Sequence, residues 1–314
     1  MKKQKYVIGI DLGGTKIAAA LLAQNGKILA EEKQPSQLQN GWSGLRQQIL
    51  EICGKLQKIK KVSAVGIGSA GPLHAPSGKL LDPTNFGWGP KIVPLTKDLE
   101  KSLKLPVKLE NDAACAALAE YWKGKAGGDC VILTLGTGLG VGVLLEGKLL
   151  RGSRGLHPEM GHQVLRPNDA DALCGCGNLG CAEALLSGVN VAKRAARQWG
   201  LATLTGKELW GLAERKDPRA LAAFAEYSDL LGNYFFNLVT TFYPKKIILT
   251  GSFAEAHRAF LPEAKNVLKK LLTRRLQTMP IEPEVRLSSL GNRAGIYGAA
   301  YIALQKEYFL SGQS

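Results

Sequence analysis

No stretch of this chain strings together the eighteen or so apolar residues that a membrane-spanning helix requires. The N-terminus, Met1-Lys-Lys-Gln-Lys5, leads into a short strand-like run, Tyr6 to Ile10, with no secretory apolar region, so a cytoplasmic protein is expected. Low-complexity linkers are missing, which argues for closely meeting domains. The Walker pattern of P-loop enzymes is absent, and so is the motif set of protein kinases. Acidic residues are in deficit: 26 Asp and Glu stand against 41 Lys and Arg, a formal net charge of +15. Such a charge favours anionic ligands. The basic residues are dispersed, however, in groups such as Lys58, Lys60 and Lys61, then Lys97, Lys101 and Lys104, then Lys269, Lys270, Arg274 and Arg275. No aromatic interleaving accompanies them, so a solvated basic surface is expected and a nucleic-acid face is not.

Cysteine is sparse, and half of it is concentrated. Of six cysteines, Cys53, Cys115 and Cys130 stand singly and read as small buried hydrophobes. The other three, Cys174, Cys176 and Cys181, form C-x-C-x4-C with His162 upstream. That spacing suits a closed Cys3His zinc site better than a disulfide. Glu159 lies three residues before the histidine and Glu183 two residues after the last cysteine. A folded metal loop would hold both carboxylates in place, as recognition of a polyol requires.

At 314 residues the chain suggests one large or two medium domains. Two glycine turns organise it. The strand Tyr6–Ile10 runs into Asp11-Leu-Gly-Gly-Thr-Lys16 and resumes at Ile17–Leu22; Cys130–Leu135 runs into Gly136-Thr-Gly-Leu-Gly140 and resumes at Val141–Leu145. Strand, Gly-Thr turn, strand places backbone N–H groups and a hydroxyl around an anion. Further strands are expected at Val62–Gly68, Pro106–Leu109 and Lys246–Thr250, the last ending at Gly251. Helices are expected from Glu110 to Glu120, with Asn111 and Asp112 at the mouth, and over Asn190–Trp199, Leu221–Phe242 and Leu261–Leu276. The Gly291–Ala300 segment reads as a loop entering a terminal helix. Two phosphate-type turns, an aspartate in the first, a helix-mouth aspartate and metal-held carboxylates together suit phosphoryl transfer from a nucleotide to a polyol.

Asp11-Leu-Gly-Gly-Thr-Lys16, Glu110-Asn-Asp-Ala113, Leu135-Gly-Thr-Gly-Leu-Gly-Val-Gly142, Glu159-Met-Gly-His162 and Cys174–Glu183 resemble the ROK family of sugar kinases and related repressors. The resemblance implies an α/β protein of the duplicated ribonuclease-H-like, actin/hexokinase-type fold, with two domains around a cleft. These would be residues 1–116 plus about 297–314, and residues 117–296 with the zinc motif. It implies Asp112 as general base. Gly71, Asn85, Asn111, Glu159, His162 and Glu183 would bind sugar, and Asp11, Gly13, Gly14, Thr15, Lys16, Gly136, Thr137, Gly138 and Gly251 would bind Mg²⁺–ATP. His162, Cys174, Cys176 and Cys181 would ligate structural Zn²⁺, and a homodimer is expected.

Three positions bear on the sugar. The cysteine cluster is similar to glucokinase-like members, whereas His157 in His-Pro-Glu-Met-Gly-His is similar to some fructokinase-like ones. Ala114 stands where the family often has asparagine, and Ala70 where it often has proline. The expected activity is ATP-dependent phosphorylation of a hexose at its 6-hydroxyl, with glucose first and fructose or an N-acetylhexosamine as alternatives. A sugar-sensing regulator is the other class; only ten residues precede Asp11, too few for the helix-turn-helix domain such regulators carry there.

Overall fold

Each glycine turn joins two buried antiparallel strands, and around each pair the chain builds the same sheet. The computed structural model describes residues 4–82, 86–89 and 91–305. In chain order the first half gives β1 (Tyr6–Leu12), β2 (Lys16–Ala23), β3 (Ile28–Pro35), α1 (Gly41–Gln57) and β4 (Ala64–Ser69). The short pair β5 (Leu73–His74) and β6 (Lys79–Leu80) follows, then α2 (Leu95–Leu103), β7 (Val107–Asn111) and α3 (Asp112–Trp122). The second half gives β8 (Cys130–Leu135), β9 (Leu139–Leu145), β10 (Lys148–Leu149), α4 (Ala182–Leu186), α5 (Gly188–Gln198), α6 (Gly206–Glu214) and α7 (Pro218–Phe242). It ends with β11 (Lys246–Thr250), α8 (Leu261–Leu276), β12 (Glu284–Leu287) and α9 (Ala294–Leu304).

Among the described residues, one five-stranded sheet has the order β3-β2-β1-β4-β7 and the other β10-β9-β8-β11-β12. In both, an antiparallel hairpin is extended by parallel strands on the far side of its first strand. The duplication expected from the repeated turn is therefore present in the topology. No helix among the described residues is long and apolar enough to cross a membrane, α7 included.

β1 and β2 are nearly continuous Val, Ile, Leu and Ala, the composition of strands covered on both faces. On one face Ile8, Ile10 and Leu12 pack with Leu45, Ile49, Ile52 and Leu56 of α1. On the other, Val7, Ala18, Ala20 and Leu22 pack with Ile296, Ala300 and Ala303 of α9. Glycine sets how closely α9 approaches. A Cβ on Gly66 would collide with the Ala299 carbonyl, and one on Gly298 with the Cys115 carbonyl of α3. Backbone thus lies directly on backbone at both faces of α9.

The chain divides into two compact units: Met1–Lys125 with Leu149–Pro158 and Arg293–Ser314, and Ala126–Lys148 with Glu159–Asn292. The expected cut at 116/117 falls inside α3, which packs against α9 and so stays with the first unit to its end. The third piece begins at Arg293, ahead of 297, because the whole of α9 belongs there; the return of Leu149–Pro158 has no counterpart in the expected division.

Local capping moves several expected ends. Glu110 and Asn111 finish β7, and the helix starts at Asp112, because Asn111 stays extended and its Oδ1 accepts from the N–H groups of Ala113 (2.9 Å) and Ala114 (3.2 Å). Ser187 caps α5 and Asp217 caps α7 in the same way, drawing those helices back to Gly188 and Pro218.

Candidate active site

In the first unit the register aligns three strand ends. Leu12 of β1 is paired with Ser69 of β4, and Ser69 with Asn111 of β7. The carboxyl ends of these adjacent parallel strands therefore present Asp11 and its turn, the Ala70–Gly71 loop, and Asn111–Asp112 along one edge. Ligands of open α/β sheets bind at such edges. The first turn is closed by Gly13 N–H donating to the Lys16 carbonyl (3.0 Å) and is braced by Ser36, whose Oγ donates to the Gly13 carbonyl (2.7 Å). Gly14, Thr15 and Lys16 lie along it, the last two exposed. Gly71 precedes a cis proline, Pro72. Asn85 lies outside the described residues.

Burial and then the nearby charge of Asp112 push Asp11 up to about 6, with Lys16 opposing. Its carboxylate lies against Gly295 in the first turn of α9. Asp112 is half-buried, and its Oδ1 accepts from the Ala113 N–H at 2.8 Å. Beneath both lies Cys115. Burial drives its thiol well above the usual range, the carboxylates of Glu110, Asp11 and Asp112 add to this, and Arg151 opposes. Glu110 is buried and paired with Arg151.

In the second unit, β8 and β11 run parallel, with Thr134 opposite Thr250, so the Gly136–Gly138 turn and Gly251 emerge at the same end. Gly251 has φ +94° and sits against the Leu135 backbone. Gly136 N–H donates to the Gly138 carbonyl (3.1 Å), and the Thr134 Oγ1 accepts from Gly140 N–H (3.1 Å). Thr137 is exposed at the tip. Glu183, in the first turn of α4, reaches this hairpin: its Oε2 accepts from Leu139 N–H at 3.1 Å. A side chain at Gly138 would press on that carboxylate.

The side chains of His162, Cys174, Cys176 and Cys181 converge, with their donor atoms all within 4.8 Å of one another. His162 Nδ1 is 3.4 Å from Cys174 Sγ, and Cys176 Sγ is 3.7 Å from Cys181 Sγ. Donors around tetrahedral zinc, at bond lengths near 2.0 and 2.3 Å, stand about 3.5–3.8 Å apart, so this set fits that ion. Asn178 Nδ2 donates to Cys176 Sγ (3.5 Å), and the knuckle turn closes through Gly177 N–H on the Cys174 carbonyl (3.0 Å).

Helix α7 carries the supports of this loop. Tyr234 Oη donates to the Met160 carbonyl (2.9 Å), holding the Glu159–His162 turn, and Tyr227 Oη donates to the Leu186 carbonyl (3.0 Å) at the end of α4. Burial raises both phenols. Glu226 of α7 receives Arg166 from the loop between His162 and Cys174 (2.6 Å) and Arg194 from α5 (2.9 Å). Burial works against that carboxylate's charge, but the two arginines outweigh it and hold it below its usual range. Glu159 is exposed, Glu183 half-buried and His157 buried.

The expected residues thus form two sets. Asp11, Gly13, Gly14, Thr15, Lys16, Gly71, Asn111 and Asp112 lie in the first unit. Gly136, Thr137, Gly138, Gly251, Glu159, His162, Glu183 and the three cysteines lie in the second. Sequence reasoning passed over Arg151, Tyr227 and Tyr234. The tyrosines repeat at i, i+7 on an apolar helix face, a pattern that reads as core.

The family model described as ROK family matches residues 7–306. A glucokinase of Thermotoga maritima is 33% identical, covering 96% of this chain and 98% of the relative. An N-acetylmannosamine kinase of Haemophilus influenzae is 30% identical, covering 94% of each. A crystal structure of a ROK family glucokinase from Streptomyces griseus in complex with glucose and AMPPNP superposes with a TM-score of 0.79 at 31% identity, covering 95% of this chain and 99% of that one. From a family model that spans nearly the whole sequence, and relatives matched over almost all of it, the chain belongs to the ROK family.

Proposed function

We propose that this protein is an ATP-dependent hexose kinase that transfers the γ-phosphoryl group to the sugar 6-hydroxyl, with glucose as its preferred acceptor. The observation that carries the reading is Asp112, one residue past the Asn111 cap, on the same sheet edge as Asp11 and its Gly-Thr turn. Asp112 accepts the proton of the attacking hydroxyl, the base role that phosphoryl transfer to an alcohol needs. Asn111, Glu159, His162 and Glu183 hold the remaining hydroxyls, with Gly71 and Asn85 on the sugar-side loops. Gly13, Gly14, Thr15 and Lys16, together with Gly136, Thr137 and Gly138, face the phosphates, and Gly251 lies near the adenosine. Asp11 would hold bound Mg²⁺, which would supply neutralisation of the phosphate charge. His162, Cys174, Cys176 and Cys181 hold a structural zinc: four protein ligands leave no open position, so the metal shapes the loop that carries Glu159 and Glu183. The reaction belongs to a cytoplasmic, glycolytic setting, and the protein works as a homodimer.

Glucose is favoured by the glucokinase relatives and the Cys3His loop. N-acetylmannosamine is the second reading, favoured by the kinases of that sugar among the relatives. A panel of ATP-coupled assays with glucose, fructose, mannose, N-acetylglucosamine and N-acetylmannosamine decides between them. Glucose is expected to give the highest kcat/KM; a higher value for N-acetylmannosamine reverses the order, and no turnover of any of the five removes the kinase reading.

Tyr234→Phe isolates the support of the Glu159–His162 turn. It leaves the Met160 carbonyl without its phenol donor, a loss of about 1–3 kcal/mol. The sugar KM rises while the KM for ATP moves less. Equal changes in both constants, measured in steady state alongside a thermal melt, would count against a sugar role for that turn.

A further inference from the structure

We propose that Arg151 is a positioning residue for phosphoryl transfer: through Glu110 it fixes the β7–α3 junction from which Asp112 projects. The inference rests on Asp112 being the base. Glu110 has a side chain 0% exposed, and Arg151 is only 21% exposed. A buried carboxylate is tolerated only when paired and hydrogen-bonded. Here both guanidinium arms take part. Nη2 donates to Oε2, and Nη1 lies 3.5 Å from Oε1. The same Oε1 accepts the Asn111 N–H at 2.9 Å. Guanidinium, carboxylate and the backbone of the residue before Asp112 therefore form one continuous chain of bonds.

Arg151 is delivered by the Leu149–Pro158 return, which is fastened to the first unit elsewhere. His74 Nε2 lies 2.7 Å from the Arg154 carbonyl, and Gly155 packs on Pro76. An arginine held this way acts as a strut with little freedom of its own.

The test is steady-state kinetics of Arg151→Met and of Glu110→Gln/Arg151→Met in the full chain, beside Asp112→Asn as reference. The double variant has no unpaired buried carboxylate, so it keeps the question open if the single variant does not fold. Arg151→Met is expected to lose about 10- to 100-fold in kcat, the scale of a small misplacement of a reacting group. The sugar KM changes less than about threefold, so the loss falls on kcat. The double variant regains thermal stability but not kcat. Parent-like kcat in a folded Arg151→Met overturns the proposal, as does full recovery of kcat in the double variant, which would leave Arg151 only a partner for a buried charge. Turnover retained by Asp112→Asn instead overturns the base assignment itself.

Discussion

Asp112→Asn is expected to leave little hexose phosphorylation while the protein stays folded. A positioned general base contributes about 10²–10⁴-fold, so kcat is expected to fall by at least about a hundredfold. The helix does not depend on the Asp112 charge, because Asn111 supplies the cap to Ala113 and Ala114. An asparagine Oδ1 can also accept from the Ala113 N–H, as the aspartate does now. The substitution therefore removes a proton acceptor and little else. Sugar affinity, measured by equilibrium binding, stays within a few-fold of the parent. Turnover within about fivefold of the parent, in a variant with an unchanged melt, would take the base role away from this residue.

Loss of the proposed zinc is expected to have the second large effect, and to spread further. Purified protein is expected to hold about one zinc per chain by elemental analysis, and Cys181→Ser to lose it. Cys181 is fully buried and precedes α4, so its loss frees both the knuckle and the helix that carries Glu183. Metal loss belongs to the short class of changes that can cost more than about 4 kcal/mol. The sugar KM rises at least about tenfold, because Glu159, His162 and Glu183 all depend on this loop. The KM for ATP rises as well, since Glu183 holds Leu139 N–H in the second Gly-Thr turn. A metal-free preparation with parent-like melting and kinetics would refute the scaffold role.

Motifs legible in the sequence were those in which chemistry demands particular residue types close together. Cys174, Cys176, Cys181 and His162 converge as their spacing implies, and the paired glycine turns mark the two halves of a duplicated sheet. Helices α5, α7 and α8 are readable from their apolar spacing, and their starts differ where Ser187 and Asp217 cap a few residues upstream. What the sequence hid depends on pairing over distance. Glu110 and Arg151 are 41 positions apart, and nothing local marks either as buried. Glu183 carries a motif, yet its bond to Leu139 N–H appears only once α4 is laid beside the β8–β9 hairpin. Gly66 and Gly298 have ordinary neighbours in the chain; only the approach of α9 makes them obligatory. The expected domain bounds differ from the compact units for the same reason, since Leu149–Pro158 is assigned by what it packs on.

The placement of α9 has a consequence for how the molecule is made. Residues emerging first from the ribosome include β1, β2 and β4, yet much of the cover on the surface formed by Val7, Ala18, Ala20 and Leu22 comes from Ile296, Ala300 and Ala303 of α9. Nearly three hundred positions separate the two sides of that layer, and contacts so remote in sequence form late. While the second unit is being synthesised, the first waits with one sheet face open, an apolar surface of the kind chaperones shield. Closing the last layer with α9 ties the burial of that face, in the half carrying Asp11 and Asp112, to a helix made after the whole second unit.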